Sequence, residues 1–462
     1  MSQSSFSSLK LNSALLENLS SLDYNSMTPV QAQSLPHILE GKDVIAQGKT
    51  GSGKTAAFGL GLLEKLKVKQ FAVQSLILCP TRELADQVTK EIRKLGRCIQ
   101  NIKVLTLCGG LPFGPQAGSL EHGAHIIVGT PGRIEDHLNR GTLNIDNLNT
   151  LVLDEADRML DMGFQSTIDA IIEKTPINRQ TLLFSATFPD QIKSISRRVM
   201  KDPVMVQATT THENDSSGIE QHLYEIRDNQ DRISAVQLLL LNYGVESVVV
   251  FCNTKKETKE IADELYRHGF SVMALHGDLE QRDRDQTLVR FANKSISVLV
   301  ATDVASRGLD IDALDLVINY QLAHDEEVHV HRIGRTGRAG NTGIACTLYS
   351  PKESHKINRL EEYLNHSLIS KSLPDSSLLD TPPNKPSMTT LLIDGGKKQK
   401  VRPGDILGAL TGENGISGKD VGKIHIFDHR AYVAVKQSVA KAALKKLNDG
   451  KLKGRTFRVR RL

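Results

Sequence analysis

Apolar residues in the first part of the chain form short uninterrupted runs, Asp43–Gln47, Ser75–Cys79, Lys103–Cys108, His125–Gly129, Thr150–Asp154 and Gln180–Phe184, separated by stretches with a helical rhythm. Runs apolar on both faces and alternating with helices predict a parallel sheet with crossover helices. The rhythm returns in Ser247–Cys252, Ser271–Leu275, Ile296–Ala301, Leu314–Asn319 and Gly343–Tyr349, so a second domain of the same class follows the first. Between them, the polar and aperiodic Thr209–Gly218 predicts a linker. Ser372–Pro386 is proline-rich and expected to be an extended, mobile spacer. Beyond it the order β-α-β-β-α-β is expected over Thr389–Asp394, Pro403–Leu410, Val421–Phe427, Arg430–Val435, Val439–Leu447 and Thr456–Arg460. The expected fold class is therefore α/β: two doubly wound parallel-sheet domains (1–208 and 219–370) plus a small C-terminal α+β domain (388–462), joined by linkers 209–218 and 371–387.

Two segments on this frame carry chemistry. Gly48-Lys-Thr-Gly-Ser-Gly-Lys-Thr55 follows the first apolar run and opens a helical stretch, giving the order strand, loop, helix. In such a loop Gly48, Thr50, Gly51, Ser52 and Gly53 turn backbone N–H groups toward an anion, Lys54 reaches the outer phosphates, and the Thr55 hydroxyl suits Mg²⁺. Asp154-Glu155 ends the fifth run, which delivers two carboxylates to the carboxyl end of the sheet, where ligands of doubly wound folds bind. Asp154 is expected to hold Mg²⁺ through water, and Glu155 to orient and deprotonate the water that attacks the γ-phosphate. Alone, an Asp-Glu pair after a strand reads as a helix N-cap; together with a phosphate loop it reads as a site that hydrolyses a nucleotide.

Charge adds a partner. The formal net charge is +5, but residues 388–462 hold 17 Lys or Arg against 6 Asp or Glu, a net of +11, which leaves residues 1–387 at −6. A basic domain on a mildly acidic body is an electrostatic handle for a polyanion, nucleic acid before an anionic membrane; the plainer alternative is a solvated tail. The five cysteines lack C-x-x-C spacing and lie mostly in apolar runs, which points to reduced, buried thiols in a cytoplasmic protein. No secretory signal core and no membrane-length apolar stretch stands out.

Residues 1 to about 365 resemble the DEAD-box RNA helicases. The resemblance rests on Thr28-Pro-Val-Gln31, the phosphate loop, Pro80-Thr-Arg-Glu-Leu-Ala85, Gly109-Gly110, Thr130-Pro-Gly-Arg133, Asp154-Glu-Ala-Asp157, Ser185-Ala-Thr187, Gln281 to Arg284, Thr302-Asp303, Arg307-Gly-Leu-Asp310 and His331-Arg-Ile-Gly-Arg-Thr-Gly-Arg338. It implies two RecA-like domains and an RRM-like C-terminal domain. It further implies that Gln31 reads the adenine edge and that Phe6 stacks on the ring, unless Phe6 staples the first helix instead. Asp310 would contact the ribose. Arg335 and Arg338 would act as arginine fingers, while Ser185, Thr187, Asp157 and His331 couple phosphate state to domain closure. Arg82, Gly110, Thr130, Arg133, Arg284 and Thr302 would hold the RNA backbone. Two positions depart from the family pattern: Asp23 where glycine is usual, and Gly48 where alanine is usual.

In the C-terminal domain, Arg430-Ala-Tyr-Val-Ala-Val435 takes the place of the usual RNA-stacking strand, yet Tyr432 is its one aromatic, and Arg430 and Val435 occupy positions that normally stack bases. Binding is therefore expected to rest on cations such as Lys398, Lys400, Arg402, Arg430, Lys453 and Arg455 and to favour a structured hairpin. The resemblance extends to a hairpin of large-subunit (23S) ribosomal RNA, to large-subunit precursors as partners, and to action as a monomer. Two alternatives remain open beside a helicase: an ATP-gated RNA clamp that does not unwind, and a DNA-directed motor.

Overall fold

The protein, a computed structural model, is described over residues 5–48, 52–188, 190–207, 218–227, 229–303, 314–337 and 343–462. Thr50, Gly51, Asp310, Arg338 and most of the 209–218 linker lie outside them.

In the first domain the parallel strands are β1 (Val44–Gln47), β2 (Ser75–Leu78), β3 (Val104–Leu107), β4 (Ile126–Gly129), β5 (Thr150–Asp154), β6 (Gln180–Ser185) and β7 (Val204–Gln207), in the order β3-β4-β2-β5-β6-β1-β7. Alternation along each strand sends Ile77, Val152 and Leu182 into one core and Leu76, Leu151 and Leu183 into another, so helices cover both faces. The six predicted runs are all strands. β7, half exposed and next to a proline, adds a seventh that the apolar pattern did not mark.

The second domain repeats the plan with β8 (Ile219–Glu225), β9 (Val248–Cys252), β10 (Val272–Leu275), β11 (Val298–Thr302), β12 (Leu316–Asn319), β13 (Gly343–Tyr349) and β14 (Ile369–Ser370), ordered β10-β11-β9-β12-β13-β8-β14. The following segment is not a detached spacer. Leu373 packs on the second core, Lys371 N–H donates to the Leu223 carbonyl, and Asn384 reaches the Gly244 carbonyl. Proline content describes the local backbone but not the apolar anchor that ties it down.

The C-terminal domain is an antiparallel sheet, β15 (Met388–Ile393), β16 (Val421–Ile426), β17 (Ala431–Lys436) and β18 (Val459–Arg461), in the order β16-β17-β15-β18, with helices Pro403–Thr411 and Ala440–Asp449 on one face. Leu391, Ile393, Val433 and Val435 point into this core, so Val435 faces inward. The opposite face is covered too. Leu392 and Tyr432 cluster with Val289 of the helix Gln281–Ala292, with Phe427 and Leu462 packed against this cluster, and the Thr390 hydroxyl pairs with Asn293 (3.1 Å) and Ser295 (2.7 Å). Tyr432 is 2% exposed. The lone aromatic of that strand thus joins the C-terminal domain to the second domain. Among the described residues no helix is long and apolar enough to cross a membrane. All five cysteines are free thiols, four of them buried.

Candidate nucleotide and nucleic-acid sites

The first sheet sorts its predicted residues into two groups at the carboxyl ends of its strands. One group follows β1, β5 and β6. Gly53 starts the helix Lys54–Lys65 in a left-handed conformation (φ 87°), a backbone glycine adopts without steric cost. A Cβ there would stand 2.4 Å from Gln31 Nε2, so the position also demands glycine for space. Thr28 Oγ1 donates to the Ser52 carbonyl at 2.7 Å and Gln31 Nε2 to the Gly53 carbonyl at 3.0 Å, while Gln31 Oε1 accepts the Thr28 N–H in a capping box. Gln31 therefore ties its own helix to the phosphate loop, using one of its amide's two N–H groups and one of its oxygen's two lone pairs. Phe6 is buried in the first core, edge-on to Tyr24 at 6.4 Å, in the stapling alternative. Lys54 Nζ donates to the Gly48 carbonyl at 2.7 Å. A Cβ at Gly48 would meet Ser52 Oγ at 3.1 Å, so the usual alanine would crowd the loop only slightly.

Beside this loop stand the acids. Asp154 closes β5 at 3% exposure, and burial pushes its carboxyl up to about 7 despite nearby Lys54. Glu155 follows at φ 52°, an uncommon conformation for a residue with a side chain. It occupies the N-cap of the helix Ala156–Asp161 without making a side-chain cap bond. Its carboxylate accepts instead from Arg158 NH1 at 2.7 Å. Asp157 turns to the neighbouring strand: its Oδ2 accepts from the N–H groups of Ala186 (3.1 Å) and Thr187 (2.9 Å) and from the Thr187 hydroxyl (3.0 Å). Burial would raise Asp157, but the Thr187 amide, Lys54 and Arg158 hold it below the usual carboxylate range. The Ser185 carbonyl accepts the Gly48 N–H, and the Ser185 hydroxyl accepts the Asp157 N–H. Phosphate loop, acidic quartet and Ser185-Ala-Thr187 are thus one hydrogen-bonded unit.

The second group follows β2, β3 and β4. Gly110 (φ 70°) lies under Arg82, whose NH2 would be 2.1 Å from a Cβ there; Arg82 Nε and NH1 are buried with no hydrogen-bond partner. Thr130 Oγ1 accepts the Gly109 N–H, and Arg133 places two N–H groups on the Leu111 carbonyl at 3.0 Å each.

In the second domain Thr302 ends β11 and Arg284 lies in the first turn of the helix after β10. His331 belongs to the helix Glu326–Ile333, and Arg335 follows it, buried. Arg332, given no task by the motif reading, is held by several partners. Arg332, 1% exposed, grips both oxygens of Asp303 (2.6 and 2.8 Å), donates to the Gln321 carbonyl and to Asn253 Oδ1, and lies 5.4 Å from the Phe251 ring centre.

The cations of the C-terminal domain converge although far apart in sequence. Lys398 N–H donates to the Asp428 carbonyl, two residues before Arg430; Lys453 Nζ donates to the Lys400 carbonyl and pairs with Asp405, three residues past Arg402. The loops 394–402, 427–430 and 450–455 so form one basic end, with Lys398, Lys400, Arg402, Lys453 and Arg455 exposed. Lys400 (φ 63°) and Lys453 (φ 51°) both adopt left-handed backbone.

Family models match in the same order: DEAD/DEAH box helicase over residues 28–195, helicase conserved C-terminal domain over 231–340, and DbpA RNA binding domain over 390–461. The ATP-dependent RNA helicase DbpA of Escherichia coli (strain K12) is 56% identical over 458 residues, which spans 99% of both chains. The chain belongs to the DEAD-box RNA helicases. DbpA of Bacillus subtilis (strain 168) is 36% identical over 99% of each chain. Saccharomyces cerevisiae Dbp5 bound to RNA and ADP BeF3 matches at a TM-score of 0.72 and 28% identity, covering 82% of this helicase and all of that chain. The helicase is accordingly an ATP-hydrolysing, RNA-binding enzyme, and its basic end belongs to a domain of a known RNA-binding type.

Proposed function

We propose that the helicase separates short RNA duplexes in large-subunit ribosomal precursors, directed by the C-terminal domain to a structured hairpin of 23S RNA. Supporting the target is a basic end built from three loops, together with a sheet face closed by the enzyme's own second domain. Such a surface suits the phosphates and shape of a folded RNA and offers no aromatic platform for stacked bases.

At the nucleotide site Lys54 leaves the Gly48 carbonyl for the β- and γ-phosphates, and Gln31 and Asp310 select ATP. Thr55 and Asp154 fit Mg²⁺: they are hard oxygen donors, and Asp154 is a buried carboxyl whose ionisation a cation would restore. That ion would neutralise phosphate charge. Glu155 takes the proton of the attacking water, and Arg335 with Arg338 stabilises charge on the transferred group. Asp157 passes the state of the phosphate loop to Ser185-Ala-Thr187, with His331 serving the same coupling in the second domain. Arg82, Gly110, Thr130 and Arg133, with Arg284 and Thr302, hold one strand by its backbone. ATP binding drives the grip that parts a duplex, and hydrolysis releases it.

The test is duplex separation and ATP turnover with a panel of ribosomal RNA fragments, for the full chain and for residues 1–387. The reading predicts preference for one hairpin-bearing fragment in the full chain only. Equal discrimination by the truncated enzyme would refute the targeting role, and turnover without strand separation would identify a clamp.

A further inference from the structure

Arg158 directly follows the acidic quartet, and none of the roles above uses it. Its side chain is 4% exposed and that of Glu155 6%, at 2.7 Å from each other. Two other buried pairs, Arg232–Glu353 and Arg332–Asp303, leave their carboxylates more open, at 21% and 16%. An ion pair shut from water at both ends contributes little net stability, because desolvation offsets the attraction. What it supplies is direction. Glu155 is fixed at its backbone by the left-handed turn (φ 52°, ψ 53°) and at its far end by Arg158, one helical turn onward in Ala156–Asp161.

We propose that Arg158 is a positioning residue for hydrolysis: by holding Glu155 Oε2 it aims Oε1 at the water that attacks the γ-phosphate. The inference rests on the assignment of Glu155 as general base. In that step the water oxygen bonds to the γ-phosphorus, the bond from phosphorus to the bridging oxygen breaks with its electron pair leaving on ADP, and the water proton passes to Oε1. Arg158 touches none of the reacting atoms. It sets the angle at which the base meets them.

The experiment is single-turnover hydrolysis of bound ATP in the presence of RNA by the full chain, with ATP and RNA affinities measured in parallel. Arg158→Met is expected to slow the chemical step by about tenfold to a hundredfold, with both affinities changed less than about twofold, the split that marks a contribution made only in the transition state. Arg158→Lys is expected to recover part of the loss. Equal losses in affinity and rate, or an Arg158→Met rate like that of the unmodified enzyme, overturn the proposal. Should Arg158→Met fail to fold, the comparison moves to Glu155→Gln with and without Arg158→Met, the double variant being the one that removes both charges of the pair: equal rates support the proposal and a further loss overturns it. Glu155→Gln alone tests the underlying assignment, since an undiminished rate there removes the base itself, whereas a slowed Glu155→Gln beside a normal Arg158→Met removes only the positioning role.

Discussion

Replacing Arg332 by methionine removes a polar junction that ties four segments of the second domain together. The guanidinium has four hydrogen bonds, two to Asp303, one to the Gln321 carbonyl and one to Asn253, beneath the Phe251 ring. Methionine fills much of the volume but takes both guanidinium bonds from the mostly buried Asp303 carboxylate, and loss of one partner of a buried pair costs about 3–5 kcal/mol. For a domain of this size each kcal/mol moves the melting temperature by about 2–4 °C, so the second domain should melt about 6–20 °C lower. Calorimetry of the full chain, with amide exchange over Val298–Thr302 to identify the transition, measures this. Combining Arg332→Met with Asp303→Asn removes the uncompensated part of that carboxylate's charge and should recover a good part of the shift. A drop under about 2 °C for the single variant, or a double variant that melts lower still, would contradict the reasoning. Because Asp303 adjoins Thr302 and Arg332 precedes Arg335 by three residues, RNA-stimulated ATP turnover in Arg332→Met should fall even at temperatures where the domain stays folded.

Three further outcomes follow from the geometry. Asp23 sits at φ 62°, which explains why glycine is usual at this position, and Asp23→Gly should stabilise the first domain by about 0.5–1 kcal/mol, visible as a higher melting temperature. Asp154, raised to about 7 by burial, is largely neutral at pH 6; the cost of ionising it accumulates from about pH 4, where the unfolded carboxyl ionises, to about pH 7 and is full above that. Binding of Mg²⁺ and ATP should therefore release an Asp154 proton at pH 6 and none at pH 8.5, read by calorimetry in buffers of different ionisation enthalpy as the difference from Asp154→Asn; no difference at pH 6 would contradict it. Thr390→Val leaves Asn293 and Ser295 without their shared partner at a cost of about 1–3 kcal/mol, and fluorescence transfer between labelled second and C-terminal domains should then broaden.

Periodicity carried most of the fold because a sheet covered on both faces leaves an apolar run at every buried strand. It missed β7 and β14, which lie at sheet edges, and also β8, an interior strand whose sequence Ile219-Glu-Gln-His-Leu-Tyr-Glu225 is too polar to read as an apolar run. Spacing pointed to two segments that the structure brings together, since a phosphate loop after a strand and two carboxylates after another converge in any doubly wound sheet. Arg158 and Arg332 escaped it. An arginine three residues after a glutamate is an ordinary surface pattern, and three arginines at equal spacing look alike until the packing around each is known. The same reasoning covers Ser372–Pro386, where Leu373 and Asn384 supply contacts that a count of prolines does not contain, and Tyr432, whose partner Val289 lies 143 positions away.

The central claim is that the nucleotide site and the RNA face of one sheet act as a unit through Asp157 and Ser185-Ala-Thr187. Steady-state ATP hydrolysis by the full chain, with and without a hairpin-bearing ribosomal RNA fragment, measures it directly, with Thr187→Ala as the paired variant. The account predicts turnover that rises many-fold with RNA and a Thr187→Ala enzyme that still binds both ligands but loses most of that rise. Hydrolysis at one rate with and without RNA, or full stimulation in Thr187→Ala, would contradict it.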